Sequence, residues 1–299
     1  MILGSLRWCA KSCALRPRFT QVSLEQTLPD GSTQVEKRNL PILWPWDLLH
    51  LLDEQNRLEA FISDSPEEAS ARTAEYWQKC AHLDFVKDLD LGEPGSTIPL
   101  TFHMDGVKIY RNQKMCVFSF SSATCKGPTL STKLVYAVVR EAEAVKPDTV
   151  DEVNSLLPYM LKFLSQGVFP THDEKGAAFK PGSPEELRAG TAFARGWKGV
   201  FSTWRGDWEA KVQVHKMVRY YSCRQICEHC FASVGDHFPY SDFGKNARWR
   251  QTILSHRQFM GLNPPEKTSP FSGVPGWRKE RNVEDLLHLL HQGVSACLN

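Results

Sequence analysis

The sequence predicts an α/β fold, with α+β as the alternative. Its middle third contains short segments rich in Val, Ile, Phe and Tyr, which is typical of strands. The predicted order is three to four strands, helices, a strand and a helix, and such a mixed order is found in α/β and α+β proteins. The chain has 299 residues, of which 41% are hydrophobic and 23% charged, which is enough to bury a sizeable core.

The N-terminal region, residues 1–97, is predicted to be helical and acidic. Residues 1–40 show no clear periodicity and are expected to be irregular, with a turn at residues 29–31. Residues 41–64 carry apolar side chains at helical spacing and predict one or two amphipathic helices. A second helix is expected over residues 65–82, because it begins with a Ser-Pro-Glu-Glu start signal.

The remaining chain is predicted to hold the sheet and a cysteine-rich insertion. Residues 98–222 form the predicted core, and residues 223–299 are expected to contain the insertion, a polar loop over 235–276 and a closing helix over about 282–292. The predicted strands are 98–104, 107–111, 115–121, 133–140 and 200–204, and the predicted helices are 148–165, 183–195 and 208–218.

Charge is distributed unevenly along the chain. The formal net charge of +2 excludes a globally basic nucleic-acid binder. Residues 41–100 carry 12 acidic and 4 basic residues, whereas residues 191–281 carry 15 basic and 7 acidic ones. The basic segment could meet a polyanion, and the acidic segment, chiefly residues 41–93, could bind a protein partner; two solvated faces that cancel are the alternative. No apolar run approaches the roughly 20 residues that span a bilayer, so no membrane association is predicted.

Two aspartates stand at the ends of predicted strands. Asp105 precedes Gly106 after one apolar strand, and Asp207 follows Gly206 after another. Because an α/β sheet presents its chemistry at strand ends, neighbouring strands would bring the two carboxylates together. Mg²⁺ prefers such oxygen ligands, and two metal ions there could activate a water or a 3′-hydroxyl for phosphodiester chemistry. The alternative is ordinary turn chemistry at each Asp.

A cysteine knuckle predicts a zinc site. Cys227 and Cys230 form a CxxC motif, which places two thiolates at adjacent corners of a tetrahedral zinc ion. Two further ligands are needed, and the candidates lie on the final predicted helix: Asp285, His288 and His291. The alternatives are a pair of buried thiols and, because Cys223 adds a CxxxCxxC spacing, the 4Fe–4S cluster of a radical S-adenosylmethionine enzyme. The second alternative needs most of a barrel downstream, where this chain is polar and rich in loops.

The order of these motifs resembles the RNase H-like catalytic domain of DDE transposases, closest to the CACTA-type group, over residues 98–299. The resemblance implies an RNase H-like mixed sheet with flanking helices and a zinc-knuckle insertion. The segments that carry it are FHMDG (102–106), RGDWEA (205–210), CRQICEHC (223–230) and PGWRKERNVEDLLHLLHQGV (275–294).

The resemblance also implies roles for individual residues. Asp105 and Asp207 would be the first two acids of a catalytic Mg²⁺ triad. The third acid of the family, a Glu on a later helix, has no counterpart before Asn299. The expectation is therefore a truncated domain with little or no strand transfer. The implied zinc ligands are Cys227, Cys230 and His288, with Asp285 and His291 as further candidates.

The predicted function is that of a transposase-derived, nuclear, DNA-binding domain. The first alternative is a non-enzymatic, zinc-stabilised interaction protein, and the second is the radical enzyme. If the chain is a transposase-derived domain, the basic residues nearest to the paired acids would contact DNA. These residues are Arg205, Lys211, Lys216, Arg219 and Arg224.

Overall fold

The computed structural model describes residues 15–110, 113–128, 132–217, 223–235, 237–262 and 268–284. Its strands form a two-stranded sheet near the N-terminus and a five-stranded sheet. The strands are β1 (Arg18–Thr27), β2 (Thr33–Ile42), β3 (Thr97–Tyr110), β4 (Gln113–Ser122), β5 (Leu134–Arg140), β6 (Lys198–Gly206) and β7 (Asn282–Glu284).

Helices connect the strands, and their first residues explain where several of them begin. Pro45 and Pro184 lie in first turns, where the missing N–H of proline costs no helical hydrogen bond. Ser255 and Gln258 form a reciprocal capping box. The helices are α1 (Pro45–Glu54), α2 (Leu58–Ile62), α3 (Ala69–Cys80), α4 (Asp84–Lys87), α5 (Asp148–Asn154), α6 (Leu157–Gln166), α7 (Pro184–Arg188), α8 (Trp208–His215) and α9 (His256–Met260).

The five-stranded sheet is mixed, with the order β5-β4-β3-β6-β7. Strands β3, β4 and β5 pair antiparallel, whereas β6 runs parallel to β3 and β7 runs parallel to β6. The β3–β6 register pairs Thr97 with Lys198 and His103 with Arg205, so the two strands point toward the same edge of the sheet. A five-stranded mixed sheet with flanking helices confirms the predicted α/β class.

Helix α6 covers one face of this sheet. Leu100 of β3 and Phe201 of β6 are buried in the main core together with the apolar side of α6. Gly199 permits the close approach, because a Cβ at this position would lie 2.8 Å from Leu100 Cδ1 and 3.5 Å from the side chain of Leu164. The opposite face carries a smaller cluster in which the Trp77 indole donates a hydrogen bond of 2.6 Å to the carbonyl of Thr97.

The N-terminal residues form a β-hairpin where the sequence predicted irregular chain. The predicted turn at residues 29–31 is confirmed, since Gly31 has a φ of 83° and its N–H donates to the carbonyl of Leu28 at 2.9 Å. These strands were not predicted, because most of their side chains are polar and exposed. The alternation of apolar and polar residues that indicates a strand is therefore weak. The buried apolar residues of the hairpin are Val22, Leu24, Leu40 and Ile42.

The predicted helices after residue 41 are present as α1, α2 and α3. Trp44 and Trp46 stack at 5.0 Å, and both rings meet Tyr159 of α6 edge-on. The N-terminal helices therefore pack into the same core as the sheet. This core extends from Val22 to Trp277 and crosses the predicted boundary between residues 97 and 98.

Several element predictions were wrong in their extent. The helix predicted over 148–165 forms two helices, α5 and α6. The strands predicted at 98–104 and 107–111 form the single strand β3, because Gly106 stays paired with Cys116 of β4. The helix predicted over 183–195 ends at Arg188 as α7. The closing helix predicted from residue 282 begins instead with strand β7, which pairs with the end of β6, and residues 285–292 lie outside the described part of the chain.

Candidate functional site

The two predicted acids lie at one edge of the sheet. Asp105 is half-buried within β3, two residues beyond the last paired position of β3 with β6, whereas the sequence predicted it at a strand end. Asp207 directly follows β6, also two residues beyond that position. Burial raises the pKa of the Cys116 thiol to about 12 and is the largest cause of the shift. The negative charges of Asp105 and Asp207 also raise this pKa, so both carboxylates act on the same thiol.

Asp207 also has a structural role as the N-cap of α8. Its Oδ1 accepts a hydrogen bond of 2.6 Å from the backbone N–H of Ala210. A carboxylate in this position satisfies one of the free N–H groups of the first turn and is favoured by the helix dipole. One oxygen of the carboxylate is thus directed at the helix, which leaves the second oxygen as the candidate metal ligand.

Further charged side chains lie near this edge, and no sequence motif indicated them. A Cβ on Gly106 would lie 3.9 Å from Oε2 of Glu141, which directly follows β5. Lys146 Nζ lies 3.3 Å from Glu141 Oε1 and 3.2 Å from Glu209 Oε1. Burial lowers the pKa of Lys146, but its hydrogen bonds and ion pairs with Glu209 and Glu141 outweigh this, so the net shift is upward.

Charge balance gives this edge an attraction for cations. Two carboxylates, those of Glu141 and Glu209, flank the ammonium group of Lys146, and Asp105, Asp207 and Glu141 all act on the Cys116 thiol, so acidic groups are concentrated here. The signal for Glu141 was available, since it follows a predicted strand just as Asp207 does. Its proximity to Gly106 depends on the pairing of β5 with β4, which no local pattern specifies. Within the residues described, no three His, Cys, Asp or Glu side chains are arranged to hold a metal ion.

The cysteine knuckle has part of the geometry of a zinc site. Cys230 is buried, Cys227 is half-buried, and the backbone N–H of His229 donates to Cys227 Sγ at 3.3 Å. The two cysteines remain candidate zinc ligands, and Cys223 is exposed nearby in sequence. The other predicted ligands, Asp285, His288 and His291, lie outside the described residues.

A buried ion pair connects α8 to this knuckle. Lys211 Nζ lies 3.0 Å from Oε1 of Glu228, and the two side chains are only 1% and 7% exposed. The same carboxylate oxygen lies 3.0 Å from Nε2 of His229. Burial raises the pKa of Glu228, but His229 and Lys211 outweigh it and the net shift is downward. The helix that Asp207 caps is therefore tied to the segment between the two cysteines.

Two of the residues predicted to contact DNA form ion pairs within the protein. Lys211 is buried in the pair with Glu228, and Lys216 is mostly buried in an ion pair with Asp151. Both ammonium groups are paired with carboxylates and largely buried, which does not favour contact with a phosphate backbone, and DNA contact by these two residues stays a prediction. Arg205 and Arg224 are exposed, and Arg219 lies outside the described residues.

An open groove of about 670 Å³ adjoins the acidic edge. It lies between the β1–β2 hairpin and the end of the β4–β5 pair. Its walls carry three bases, Arg38, Lys114 and Arg140, and three acids, Glu25, Glu141 and Glu143, so the formal charges of the lining balance.

Comparison of the chain with protein-family models, with curated proteins and with solved structures gives no match. Among the helices that the structure describes, none is long and apolar enough to cross a membrane.

Proposed function

We propose that this chain is a transposase-derived, RNase H-like domain that binds DNA together with a divalent metal ion at Asp105 and Asp207. The observation that carries the proposal is the parallel pairing of β3 with β6, because it places the two acids at equivalent positions on neighbouring strands. The same acids were singled out by the sequence motifs, independently of the pairing. The strand order of the mixed sheet, with three antiparallel strands followed by two parallel ones, supports the RNase H-like interpretation.

The proposed chemistry is metal-assisted binding of a phosphodiester backbone. Mg²⁺ is held by one or two carboxylates and keeps open positions for water and phosphate oxygens. A metal ion at this edge would offset the repulsion between the acidic cluster and DNA, while Arg38, Lys114 and Arg140 contact the backbone in the adjoining groove. We expect Asp105 and Asp207 to bind the metal ion. A DNA-binding role of this kind would place the chain in the nucleus.

The test is the Mg²⁺ dependence of DNA binding, measured by fluorescence anisotropy on a labelled duplex. We expect Mg²⁺ to raise the affinity of the wild-type chain several-fold over EDTA, and Asp105→Asn or Asp207→Asn to remove that increase. Asp84→Asn is the matched control, because Asp84 is an exposed acid on α4, distant in sequence from both acids. An affinity of the wild-type chain that does not respond to Mg²⁺ would contradict the proposal.

A second candidate is a non-enzymatic, zinc-stabilised interaction protein. The buried Lys211–Glu228 pair favours it, since it builds the knuckle into the core independently of the paired acids. In that case the exposed acids of residues 41–93 would supply a surface for protein partners. Elemental analysis should give about one zinc per chain, absent from Cys227→Ser and retained in Cys125→Ser. Zinc without any response to Mg²⁺ supports this candidate over the first, whereas iron with sulfide would support the radical enzyme.

A further inference from the structure

Residues 239–250 fold into a compact loop, which we call the aromatic–basic loop. Its two ends are joined by side chain to backbone hydrogen bonds: the Trp249 indole donates to the carbonyl of Asp242 at 2.7 Å, and Arg250 Nε donates to the carbonyl of Gly244 at 3.2 Å. The carboxylate of Asp242 accepts the N–H of Gly244 at 2.9 Å. These bonds fix the backbone on both sides of Phe243.

Phe243 projects from this loop into solvent. Its side chain is 80% exposed, and Tyr240, three residues earlier, is 48% exposed. Single exposed apolar residues are common on protein surfaces. Here, however, two aromatic rings stand on one short loop whose backbone is held in place, and the described residues leave their faces uncovered.

The loop is also basic. Lys245, Arg248 and Arg250 are exposed, and Arg257 follows on α9. Residues 237–262 contain these four bases and a single acid, Asp242, whose carboxylate is engaged by the loop backbone. The guanidinium of Arg250 lies over the Trp249 ring, 4.6 Å from its centroid. The loop therefore presents aromatic faces surrounded by positive charge.

Hydrogen bonds connect the residues that directly follow the loop to the cysteine knuckle. The N–H of Leu254 donates to the carbonyl of His229 at 2.8 Å, and the N–H of Phe231 donates to the hydroxyl of Thr252 at 2.9 Å. Ala247, at the centre of the loop, is fully buried. The knuckle, the Lys211–Glu228 pair and α8 thus form a continuous connection between the loop and Asp207.

We infer that the aromatic–basic loop binds single-stranded DNA. Phe243 and Tyr240 stack on unpaired bases, and Lys245, Arg248 and Arg250 contact the phosphates. Aromatic faces interspersed with cations are the elements of a single-strand site, because every base has a face to stack while the backbone supplies uniform negative charge. A base within a duplex is already stacked on both sides. The choice of DNA as the strand rests on the proposed function.

The first test is anisotropy of the full-length chain on a fluorescein-labelled, single-stranded DNA of 16 nucleotides. Stacking contributes roughly 1–3 kcal/mol per base, so Phe243→Ala should weaken binding at least about fivefold. Phe19→Ala is the matched control, since Phe19 is 61% exposed but lies on β1, in the N-terminal hairpin. It should leave the affinity unchanged. Circular dichroism checks that both variants remain folded.

The second test is the salt dependence of the same binding. For a single strand, each cation that binds a phosphate contributes about 0.7 to the magnitude of the slope of log K against log salt. The double variant Lys245→Ala/Arg248→Ala should therefore reduce that magnitude by about 1.4. The double variant Lys79→Ala/Lys87→Ala, which removes two exposed lysines of the N-terminal region, should not change it.

The outcomes separate this inference from the proposed function. Equal affinity of Phe243→Ala and wild type, or tighter binding of a duplex or an RNA of the same sequence, would overturn the inference. If Mg²⁺ still raises duplex affinity through Asp105 and Asp207, the proposed function survives that result. If Phe243→Ala weakens single-strand binding but the acids show no Mg²⁺ response, the loop assignment stands and the metal site fails.

Discussion

At the scale of single residues, Lys211 shows how burial changes the role of a charge. The sequence places it four residues after Asp207, among bases that suggest DNA contact. The structure buries it against Glu228 within the knuckle. Removing both charges from water is costly, and their mutual attraction offsets this cost only while both partners are present. We therefore expect Lys211 to affect folding far more than it affects DNA binding.

The buried pair predicts an asymmetric response to mutation. Lys211→Ala should lower the free energy of unfolding by about 3–5 kcal/mol, because the buried Glu228 would lose its ammonium partner and keep only the contact with His229. The double variant Lys211→Met/Glu228→Gln should recover much of this loss, since no buried charge is left without its partner. Urea denaturation measures both values. Lys37→Ala, which breaks an exposed pair with Glu152, should change stability by less than about 1 kcal/mol. Equal effects of Lys211→Ala and Lys37→Ala would contradict the account.

His215 predicts a loss of stability in acid. Burial lowers its pKa from 6.5 to about 3; Glu228 acts in the opposite direction and Lys211 in the same one. The ring packs against Trp204 and Trp277. Between these two pKa values the unfolded chain binds a proton that the folded chain does not. The contribution of His215 is therefore fully present above about pH 6.5 and is lost as the pH falls toward 3.

The measurement is the free energy of unfolding as a function of pH. His215→Gln should reduce its slope between pH 6 and pH 4 by up to about 1.4 kcal/mol per pH unit, the value for one proton. His82→Gln, at an exposed position, should keep the wild-type slope. A His215→Gln slope that equals the wild type would show that this ring does not stay neutral in the folded chain.

At the scale of elements, the N-terminus of α8 combines a helix cap with a candidate metal ligand. The cap explains why the helix begins at Trp208, immediately after β6. Because of this second role, a loss of metal or DNA binding in an Asp207 variant could come from a weakened helix. The two roles can be separated, because asparagine caps helices about as well as aspartate but lacks the charge.

Asp207→Asn should therefore leave stability within a few tenths of a kcal/mol, whereas Asp207→Ala should cost about 1 kcal/mol. Both variants should lose the response to Mg²⁺. Urea denaturation in EDTA gives the stability difference without any metal contribution. Ser183→Ala removes the comparable cap of α7 and sets the scale for the loss of one cap. An Asn variant as unstable as the Ala variant would show that the charge itself holds the helix start.

Elements with strong local patterns could be predicted from the sequence, and those made by long-range pairing could not. The apolar spacing of α1 and the β-branched residues of β5 and β6 gave those elements correctly. The β1–β2 hairpin was missed because its buried side chains are few. β7 was predicted as helix because its three residues are held by pairing with β6 rather than by their own preferences.

At the scale of the whole molecule, one core joins the N-terminal helices to the mixed sheet. The α/β class followed from the order of patterns along the chain. Asp105 and Asp207 were chosen as candidates because both stand at predicted strand ends, although Asp105 lies within β3. Glu141 and Lys146 were not identified, because their approach to Gly106 and Glu209 depends on sheet order and register. The burial of Lys211 likewise depends on where the knuckle packs, which spacing alone does not specify.

The central claim is that Asp105 and Asp207 together bind a divalent metal ion. Titration of Mn²⁺, a paramagnetic substitute for Mg²⁺, followed by the electron paramagnetic resonance of the free ion, tests it most directly. The account predicts a saturable site in the wild-type chain that is absent from Asp105→Asn and from Asp207→Asn but kept in Asp84→Asn. Identical titrations for the wild type and both site variants would contradict it.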